Sequence, residues 1–401
     1  METNNQKNDQ NIIPNDADKQ QKGVNVPNLR FKEYCKNWTI EPMENVCKFF
    51  KGHGISKEDL SDTGNPCILY GELYTTYKTA IAKTIKSRTL LDLKSLVHSK
   101  SNDVLIPCSG ETAEDISTSI CIPYDDVLIG GDLTIIRSQL NGAFLSNQIN
   151  SVRKLAIARI AQGKSIVHLQ ADELKKINIS FPTIDEQLKI ATFVDLLDLR
   201  IDTQSKIIEK YESLISTIRT NIFSSFQGKW TKLCDLVENK SLQLNRGNII
   251  PKHPKDDVYK YPVYSSSVQK DGLMGYSDYY MFDKELITWS IDGGGDIFFR
   301  EKHKFCVTNV CGILQLDTNK FSYRFVAEAL KYQHSKTTFD YQTKAHPSVI
   351  EKLYALPDIE LNKQDKYSKL FGVLYSKLGN ERKYLEIIKE QKKYLLSNMF
   401  I

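Results

Sequence analysis

The sequence predicts two α/β (α+β) domains in tandem, each followed by a long helix, with the two helices paired as an antiparallel coiled coil. Two observations predict this architecture: an internal repeat, and an apolar pattern with spacings of three and four along both predicted helices. The length of 401 residues allows two or three domains. A composition of 41% hydrophobic and 26% charged residues excludes a wholly disordered, collagenous or membrane-spanning chain.

The first 28 residues are the least globular part of the chain. Asn, Gln, Asp and Lys fill 17 of these 28 positions, so the segment lacks side chains for a core and is predicted to be a disordered tail. The N-terminus has no apolar run typical of a secretion signal, and we expect a cytoplasmic protein. The eight cysteines form no C-x-x-C pair, so reduced and mostly buried thiols are expected.

Two halves of the chain carry the same features in the same order. Each half begins with a Trp-Thr pair, at Trp38 and Trp230, and continues through a mixed globular stretch to a proline-centred strand and a long helix. Gln187 matches Gln364 at an offset of 177. The other matched segments are Phe181-Pro182 with Leu356-Pro357, and Asn221-Ile222-Phe223 with Asn398-Met399-Phe400. The chain is therefore interpreted as a tandem duplication whose middle parts have diverged.

The two predicted helices share an apolar seam. In the first helix the seam consists of Val194, Leu197, Ile201, Gln204, Ile208, Tyr211, Ile215, Ile218 and Ile222. In the second helix it consists of Phe371, Leu374, Leu378, Glu381, Leu385, Ile388, Lys392, Leu395 and Met399. Polar Gln204 and Glu381 fall at the same seam position, where a polar residue often fixes register. The flanking charges, among them Asp195 and Asp198, are expected on a solvated face. The alternative is two amphipathic helices, each packed on its own domain.

These observations divide the chain into five parts. They are a tail (1–28), a first domain (29–185), a central spacer helix (186–226), a second domain (227–360) and a distal spacer helix (361–401). Within the domains, the β-branched or aromatic runs at 103–106, 126–129 and 285–289 predict strands, and 322–334 predicts a helix.

Motifs for catalysis are missing from the sequence. There is no G-x-x-x-x-G-K-[ST] loop and no strand-linked G-x-G-x-x-G, and the Gly-rich segment 292–296 predicts a tight turn. Asn65-Pro66-Cys67-Ile68 matches only half of the Asn-Pro-Pro-aromatic motif of amino-methyltransferases. The seven histidines show no metal or triad spacing. We therefore predict no catalytic residue, no metal site and no cofactor bound by this chain.

What remains is typical of a binding protein, and two similar but diverged units suit a bipartite DNA site. Loops rich in Tyr, Ser, Thr and Lys supply hydrogen bonds to base edges and phosphates. The candidate DNA-binding residues are Tyr70, Tyr74, Thr75, Thr76, Tyr77, Lys78, Tyr264, Ser265, Ser266, Ser267 and Lys270. The alternative for each is an ordinary surface loop. The net charge is only +5, but residues 361–401 alone carry nine basic against four acidic side chains, which suits a phosphate contact, a partner subunit or merely a solvated face.

The order of these segments resembles a known family, the DNA-specificity (S) subunits of type I restriction–modification systems. The resemblance covers nearly all of residues 29–401. Its landmarks are Leu29-Arg30-Phe31 before Trp38, Gly52 through Leu60, Pro66 through Tyr74, Phe181-Pro182 through Ala191, Tyr261 through Ser267, Gly275-Tyr276 and the glycine turn after Asp292. The second half departs from the family's Pro-x-x-Glu-Gln run, because Ile359-Glu360-Leu361-Asn362-Lys363-Gln364 has two extra residues and no Glu-Gln pair.

The resemblance implies a division of labour. The chain would read double-stranded DNA with one half-site per target-recognition domain. Two modification subunits would methylate adenine with S-adenosylmethionine, and two restriction subunits would cleave DNA with ATP and Mg²⁺. The spacer helices would act as a ruler. A helix over 186–226 is roughly 60 Å long at about 1.5 Å per residue, more than the ~34 Å of one DNA turn.

Two other functions stay open. One is a coiled-coil structural adaptor whose duplicated domains bind protein. The other is an enzyme that acts alone, which would show methyl transfer or cleavage by the isolated chain.

Overall fold

The structure, a computed structural model, describes residues 25–91, 96–163, 166–266, 269–292, 296–337 and 344–401. The chain divides into two compact units. The first contains residues 1–202 and 386–401, and the second contains residues 203–385. Most of the predicted tail, up to residue 24, lies outside the described residues. The five-part division made from the sequence stays a prediction.

The first unit is built from short strands and helices. Its strands are β1 (Thr39–Pro42), β2 (Cys47–Lys51), β3 (Leu60–Ser61), β4 (Asn65–Ile68), β5 (Ser87–Thr89), β6 (Asp103–Pro107), β7 (Ser109–Gly110), β8 (Ile120–Ile122), β9 (Leu128–Ile129), β10 (Leu133–Ser138), β11 (Val167–His168) and β12 (Asn178–Phe181). Its short helices are α1 (Met43–Val46), α2 (Glu72–Thr75), α3 (Ala113–Ile116), α4 (Gly142–Asn150), α5 (Lys154–Ile160) and α6 (Ala171–Lys175).

Two four-stranded sheets form the body of the first unit. One has the order β2-β10-β6-β8 with antiparallel neighbours. Its strand β6 is buried along its whole length, as its run of apolar residues predicts. The other sheet has the order β3-β5-β4-β9 and contains one parallel pair, β4 with β9. The helix α4 starts where the side chain of Asn141 accepts the N–H of Phe144 at 2.8 Å, an ordinary N-cap.

The second unit contains a similar set of elements. A long helix α7 (Ile184–Ser224) begins in the first unit and ends in the second. The strands that follow are β13 (Trp230–Lys232), β14 (Leu242–Arg246), β15 (Tyr261–Tyr264), β16 (Leu273–Ser277), β17 (Phe282–Asp283), β18 (Leu286–Ser290), β19 (Ile297–Arg300), β20 (Lys304–Val307), β21 (Cys311–Leu316) and β22 (Ala355–Pro357). The helices are α8 (Leu233–Glu238), α9 (Tyr323–His334), α10 (Pro347–Leu353) and α11 (Leu361–Met399), the last of which ends in the first unit.

The sheets repeat the pairings of the first unit. The order β14-β21-β18-β19 is antiparallel throughout, like β2-β10-β6-β8. The order β16-β15-β20-β17 again contains one parallel pair, β15 with β20. The short antiparallel pair β13 with β22 corresponds to β1 with β12. The predicted α/β (α+β) fold class and the internal duplication are therefore confirmed.

Each unit contains an aromatic cluster at the equivalent position of the repeat. In the first unit Phe400 packs against Phe144 and Trp38, with ring centroids 5.1 and 6.4 Å apart. In the second unit the corresponding cluster consists of Phe223, Phe325 and Trp230. Phe223 and Phe400 are matched by the offset of 177, and both are nearly fully buried. The end of one long helix thus completes the core of each unit.

A buried glutamine joins each long helix to its unit. Gln187 donates from Nε2 to the carbonyl five positions earlier at 2.8 Å, and its Oε1 accepts the N–H of Asn141 at 2.9 Å. Gln364 makes the equivalent bonds, donating to the carbonyl five positions earlier at 2.7 Å and accepting the N–H of Ser322 at 3.0 Å. Asn141 and Ser322 are the N-cap residues of α4 and α9. The repeat therefore preserves a structural joint.

The long helices pack together within each unit. In the second unit, Gln204 bonds to Glu381 (Nε2 to Oε2, 2.6 Å), and further along α7 the guanidinium of Arg219 donates to the hydroxyl of Tyr375 at 3.0 Å. From the first of these contacts to the second, the residue numbers increase along α7 and decrease along α11, so the two helices are antiparallel, as predicted. The apolar cluster between them includes Ile208 and Phe371.

The predicted seam residues lie largely inside these helix contacts. Those that are buried are Val194, Gln204, Ile208, Phe371, Leu378 and Ile388, and those that are half-buried are Leu197, Ile201, Tyr211, Leu374, Glu381 and Leu385. The expectation for Asp198 is wrong, because its side chain is buried in the first unit and forms an ion pair with Lys392. Lys392 occupies a seam position, and a cation in an apolar seam requires a nearby counter-charge. Asp195 is half-buried and pairs with Lys83 at 2.6 Å.

Two further findings concern the whole described chain. Among the described residues, no helix is long and apolar enough to cross a membrane. All eight cysteines lie in the described part and are unpaired thiols; five of them are buried.

Candidate nucleic-acid interface

The first group of candidate DNA-binding residues surrounds the helix α2. Tyr70, Thr75, Thr76 and Lys78 are exposed, and Tyr74 is half-buried. The sequence suggested a loop for this segment, but residues 72–75 form one helical turn. A hydrogen bond within the segment stabilises this turn: the Thr75 hydroxyl donates to the Gly71 carbonyl at 2.8 Å.

Glu72 ties the turn to its neighbours. One carboxylate oxygen accepts the N–H of Leu69 at 2.8 Å, and the other accepts the hydroxyl of Ser87 at 2.6 Å. Tyr77 packs its ring against the core of the same unit, and its hydroxyl accepts the N–H of Lys86 at 3.3 Å. Burial raises the pKa of Tyr77 to about 12. Tyr77 therefore supports the turn, and the exposed side chains around it offer donors and acceptors to solvent.

The second group lies at the end of β15 in the second unit. Residues 261–264 form a strand rather than the expected loop, because Val263 is buried and the strand pairs with β16 and β20. Ser265 and Ser266 follow the strand and are half-buried, and Ser267 lies outside the described residues. The backbone of Lys270 belongs to the short turn Gln269–Gly272.

Tyr264 has two close polar neighbours. The guanidinium carbon of Arg300 lies 3.8 Å from its ring centre, and its hydroxyl is 3.1 Å from Nε2 of His303. Burial raises the pKa of Tyr264. Tyr264 is thus held in place by its own unit, and contact with DNA by either group stays a prediction.

A basic and aromatic patch beside β15 was not found from the sequence. Tyr279 and Tyr280 are exposed. The ammonium of Lys304 lies 4.8 Å from the ring centre of Tyr280, and the ring of Tyr261 contacts Tyr280 at 5.2 Å. Exposed tyrosines next to lysines are the groups that stack on bases and contact phosphates. The signal available in the sequence was the adjacent pair Tyr279-Tyr280, which precedes the predicted strand 285–289.

The described residues contain no group of three or more His, Cys, Asp or Glu side chains placed to hold a metal ion. The predicted glycine turn falls on residues 293–295, which lie outside the described part.

Two solved structures share this fold. The S subunit of a type I restriction–modification system from M. genitalium superposes with a TM-score of 0.63 at 18% identity, covering 94% of this chain and 99% of that one. A structure from a study of assembly and conformational transition in the type I restriction–modification system gives 0.55 at 14% identity, covering 90% and 97%. The fold is therefore that of a type I specificity subunit, with two tandem domains and a long helix between them.

Sequence comparison identifies the family. The model of the type I restriction modification DNA specificity domain matches residues 35–213 and again 229–370, and the chain belongs to this family. S.MpnORF365P of Mycoplasma pneumoniae, assigned as a type I specificity subunit, is 26% identical over 230 residues, covering 54% of this chain and 81% of that protein. The specificity subunit of the type I restriction enzyme MpnII, also from Mycoplasma pneumoniae, is 27% identical over 142 residues, covering 35% and 42%. The predicted resemblance is confirmed.

Proposed function

We propose that this chain selects the DNA sequence on which a type I restriction–modification complex acts, and that each unit reads one half of a bipartite target. The observation that carries the proposal is the duplicated framework with diverged sheets. The aromatic clusters and the buried glutamines are present in both units. The sheet that contains β15, which ends at Tyr264, and the sheet beside α2 carry different polar side chains. A framework that is shared by the two units, with different exposed side chains on each, suits the recognition of two different DNA sequences.

The helices support a spacer role. Helix α7 has 41 residues, so at about 1.5 Å per residue it is roughly 60 Å long and exceeds the ~34 Å of one DNA turn. The polar contacts of Gln204 and Lys392 fix the register of the pair. We infer that a stretch of unread base pairs separates the two half-sites.

The remaining steps would belong to partner subunits. In this proposal two modification subunits bind S-adenosylmethionine and methylate adenine, and two restriction subunits use ATP and Mg²⁺ to cleave DNA. This chain would be non-catalytic and would work where the DNA is, in the cytoplasm. Exposed apolar side chains on the long helices support partner docking: Leu196 and Ile387 in the first unit are 58% and 59% exposed, and Val373 in the second is 57% exposed.

Selection of bound sequences from random duplex DNA tests the proposal directly. The full chain, purified with its modification subunits, is expected to enrich two short motifs separated by a gap of fixed length. Enrichment of no sequence would contradict the proposal and would favour the structural adaptor. Methyl transfer or cleavage by the chain without partners would favour an enzyme that acts alone.

A domain exchange tests the division of labour. Replacing residues 232–355 by those of another family member is expected to change one motif and to leave the other motif intact. A change in both motifs would show that the units do not read separately. The matched control is the exchange of residues 40–180, which is expected to change only the opposite motif.

A helix extension tests the spacer. Inserting seven residues into both long helices keeps the seam in phase and adds about 10 Å. At about 3.4 Å per base pair the unread gap is expected to lengthen by about three base pairs. An unchanged gap with normal binding would refute the spacer role.

A further inference from the structure

A cavity of about 290 Å³ lies in the second unit, between β19 and the two helices α9 and α11. Its wall includes the rings of Phe298 and Tyr375 and the cationic side chains of Arg300 and Lys331. All these residues belong to the second unit and to the described part of the chain. The proposed function above makes no use of this cavity.

Arg300 is a buried cation that forms no ion pair with a carboxylate of the described residues. Its side chain is only 5% exposed, and burial lowers its pKa to about 10. Its Nε donates to the Thr288 hydroxyl at 3.0 Å, and its guanidinium lies against the rings of Tyr264 and Phe298. Among the described residues it forms no ion pair and no other hydrogen bond. Only the Nε donor of this guanidinium is used among the described residues, so its other donors are unused at the wall of the cavity. A buried charge without a partner is energetically costly.

Lys331 contributes a second cation to the same wall. Its ammonium lies 3.3 Å from the Tyr375 hydroxyl and 5.2 Å from the centre of the same ring. Within the described chain no carboxylate lies at ion-pair distance from Lys331. An ammonium has three donors, and a single hydroxyl leaves the others for water or a ligand.

The acids near the cavity are mostly engaged by other cations. Glu328 accepts from Arg219 at 2.7 Å, and Glu301 accepts from Arg324 at 2.8 Å. Asp271 is exposed at the edge. After these pairs are formed, Arg300 and Lys331 have no ion pair among the described residues, and the nearby carboxylates of Asp271 and Asp296 are exposed.

We propose that this cavity binds a phosphate group, held by the unused donors of Arg300 and Lys331, with Phe298 and Tyr375 as an aromatic wall beside it. Guanidinium and ammonium groups are the usual partners of phosphate oxygens in proteins. The phosphate is either that of a free anion or nucleotide, or one from the DNA backbone. The DNA source rests on the proposed function, whereas the free source does not.

The first experiment titrates the full chain with inorganic phosphate and with adenosine monophosphate by calorimetry. Saturable binding is expected for the unchanged chain. Arg300→Met and Lys331→Met are each expected to weaken it about tenfold or more, because each removes a charged hydrogen bond. Lys284→Met removes the same charge from the same unit outside the cavity, where Lys284 contacts Gln315, and is expected to bind like the unchanged chain.

The second experiment measures binding of duplex DNA over a range of salt concentrations. If the cavity takes a backbone phosphate, Lys331→Met is expected to reduce the slope of log K against log salt by about 0.9, while Lys284→Met leaves the slope unchanged. Saturable phosphate binding that depends on Arg300 and Lys331 with an unchanged slope assigns the site to a free ligand. A lowered slope without free phosphate binding assigns it to DNA.

The proposal is overturned if neither phosphate binding nor the salt slope responds to the two substitutions. Circular dichroism and the melting temperature check the fold of each variant. If Arg300→Met unfolds, Lys331→Met carries the test alone, because Lys331 is only half-buried. A chain that selects no DNA sequence but binds phosphate through these residues would contradict the proposed function and leave this inference standing.

Discussion

Substitution of Gln364 by leucine tests the buried joint between α11 and the second unit. Gln364 is 1% exposed and makes three hydrogen bonds, to the carbonyls of Lys320 and Ile359 and from the N–H of Ser322. At about 0.5–1.5 kcal/mol for each bond, Gln364→Leu is expected to lower the free energy of unfolding by about 2–4 kcal/mol.

Urea denaturation of the full chain measures the loss. The control is Gln391→Leu on the same helix, because Gln391 is exposed and a surface substitution changes stability by less than about 0.5 kcal/mol. Hydrogen exchange adds a local measurement: the Ser322 amide loses its acceptor and is expected to exchange faster in Gln364→Leu. Equal stability of the two variants, with unchanged exchange at Ser322, would refute the structural role of this joint.

Three further predictions use glycines, tyrosines and thiols. Gly312→Ala is expected to lower the melting temperature, because its new methyl would lie 2.0 Å from an indole ring, whereas Gly379→Ala meets no atom within 4 Å and is expected to stabilise α11 by up to about 1 kcal/mol. Burial raises the pKa of Tyr77 and Tyr354 to about 12, so the native state holds these protons longer than the unfolded state, and the free energy of unfolding is expected to fall as the pH rises from 10 to 12; equal stability at both ends would contradict this. Exposed Cys35 is expected to react first with a thiol reagent at pH 8, with the five buried thiols reacting only after unfolding.

The long helices were the most predictable elements. Their seam repeats at a fixed spacing, and helical periodicity is a local property that one stretch of sequence displays. The offset of 177 also identified Gln187 with Gln364, and the structure shows that both residues share two equivalent bonds. The departure from the family run before Gln364 therefore leaves the joint itself unchanged.

The same departure removes a different contact. In the first unit Glu186 is buried and pairs with Arg30 at 2.7 Å through two oxygens. Lys363 occupies the matching position in the second helix, so that carboxylate is missing there. The glutamine alone is common to both joints.

The polar details depended on packing that the sequence does not display. Tyr261 through Tyr264 resemble a surface loop in composition, yet pairing with two neighbouring strands makes them the interior of a sheet. Asp198 was expected in solvent, but it is buried beside the seam and pairs with Lys392, a residue of the other helix nearly two hundred positions away. The cavity with Arg300 and Lys331 has the same origin, because its walls come from β19, α9 and α11, which only tertiary packing brings together.

The shared helices also determine which parts of the chain each unit needs in order to fold. The second unit is continuous in sequence, whereas the first unit combines residues 1–202 with residues 386–401. The first unit needs those last residues, since Phe400 fills its aromatic cluster and Asn28 bonds to Asn398 across 370 positions. Contacts so distant in sequence form late. Without residues 386–401 the first unit lacks the ring of Phe400 that packs against Trp38 and Phe144. We expect a chain truncated at residue 385 to protect its second unit from protease but not its first.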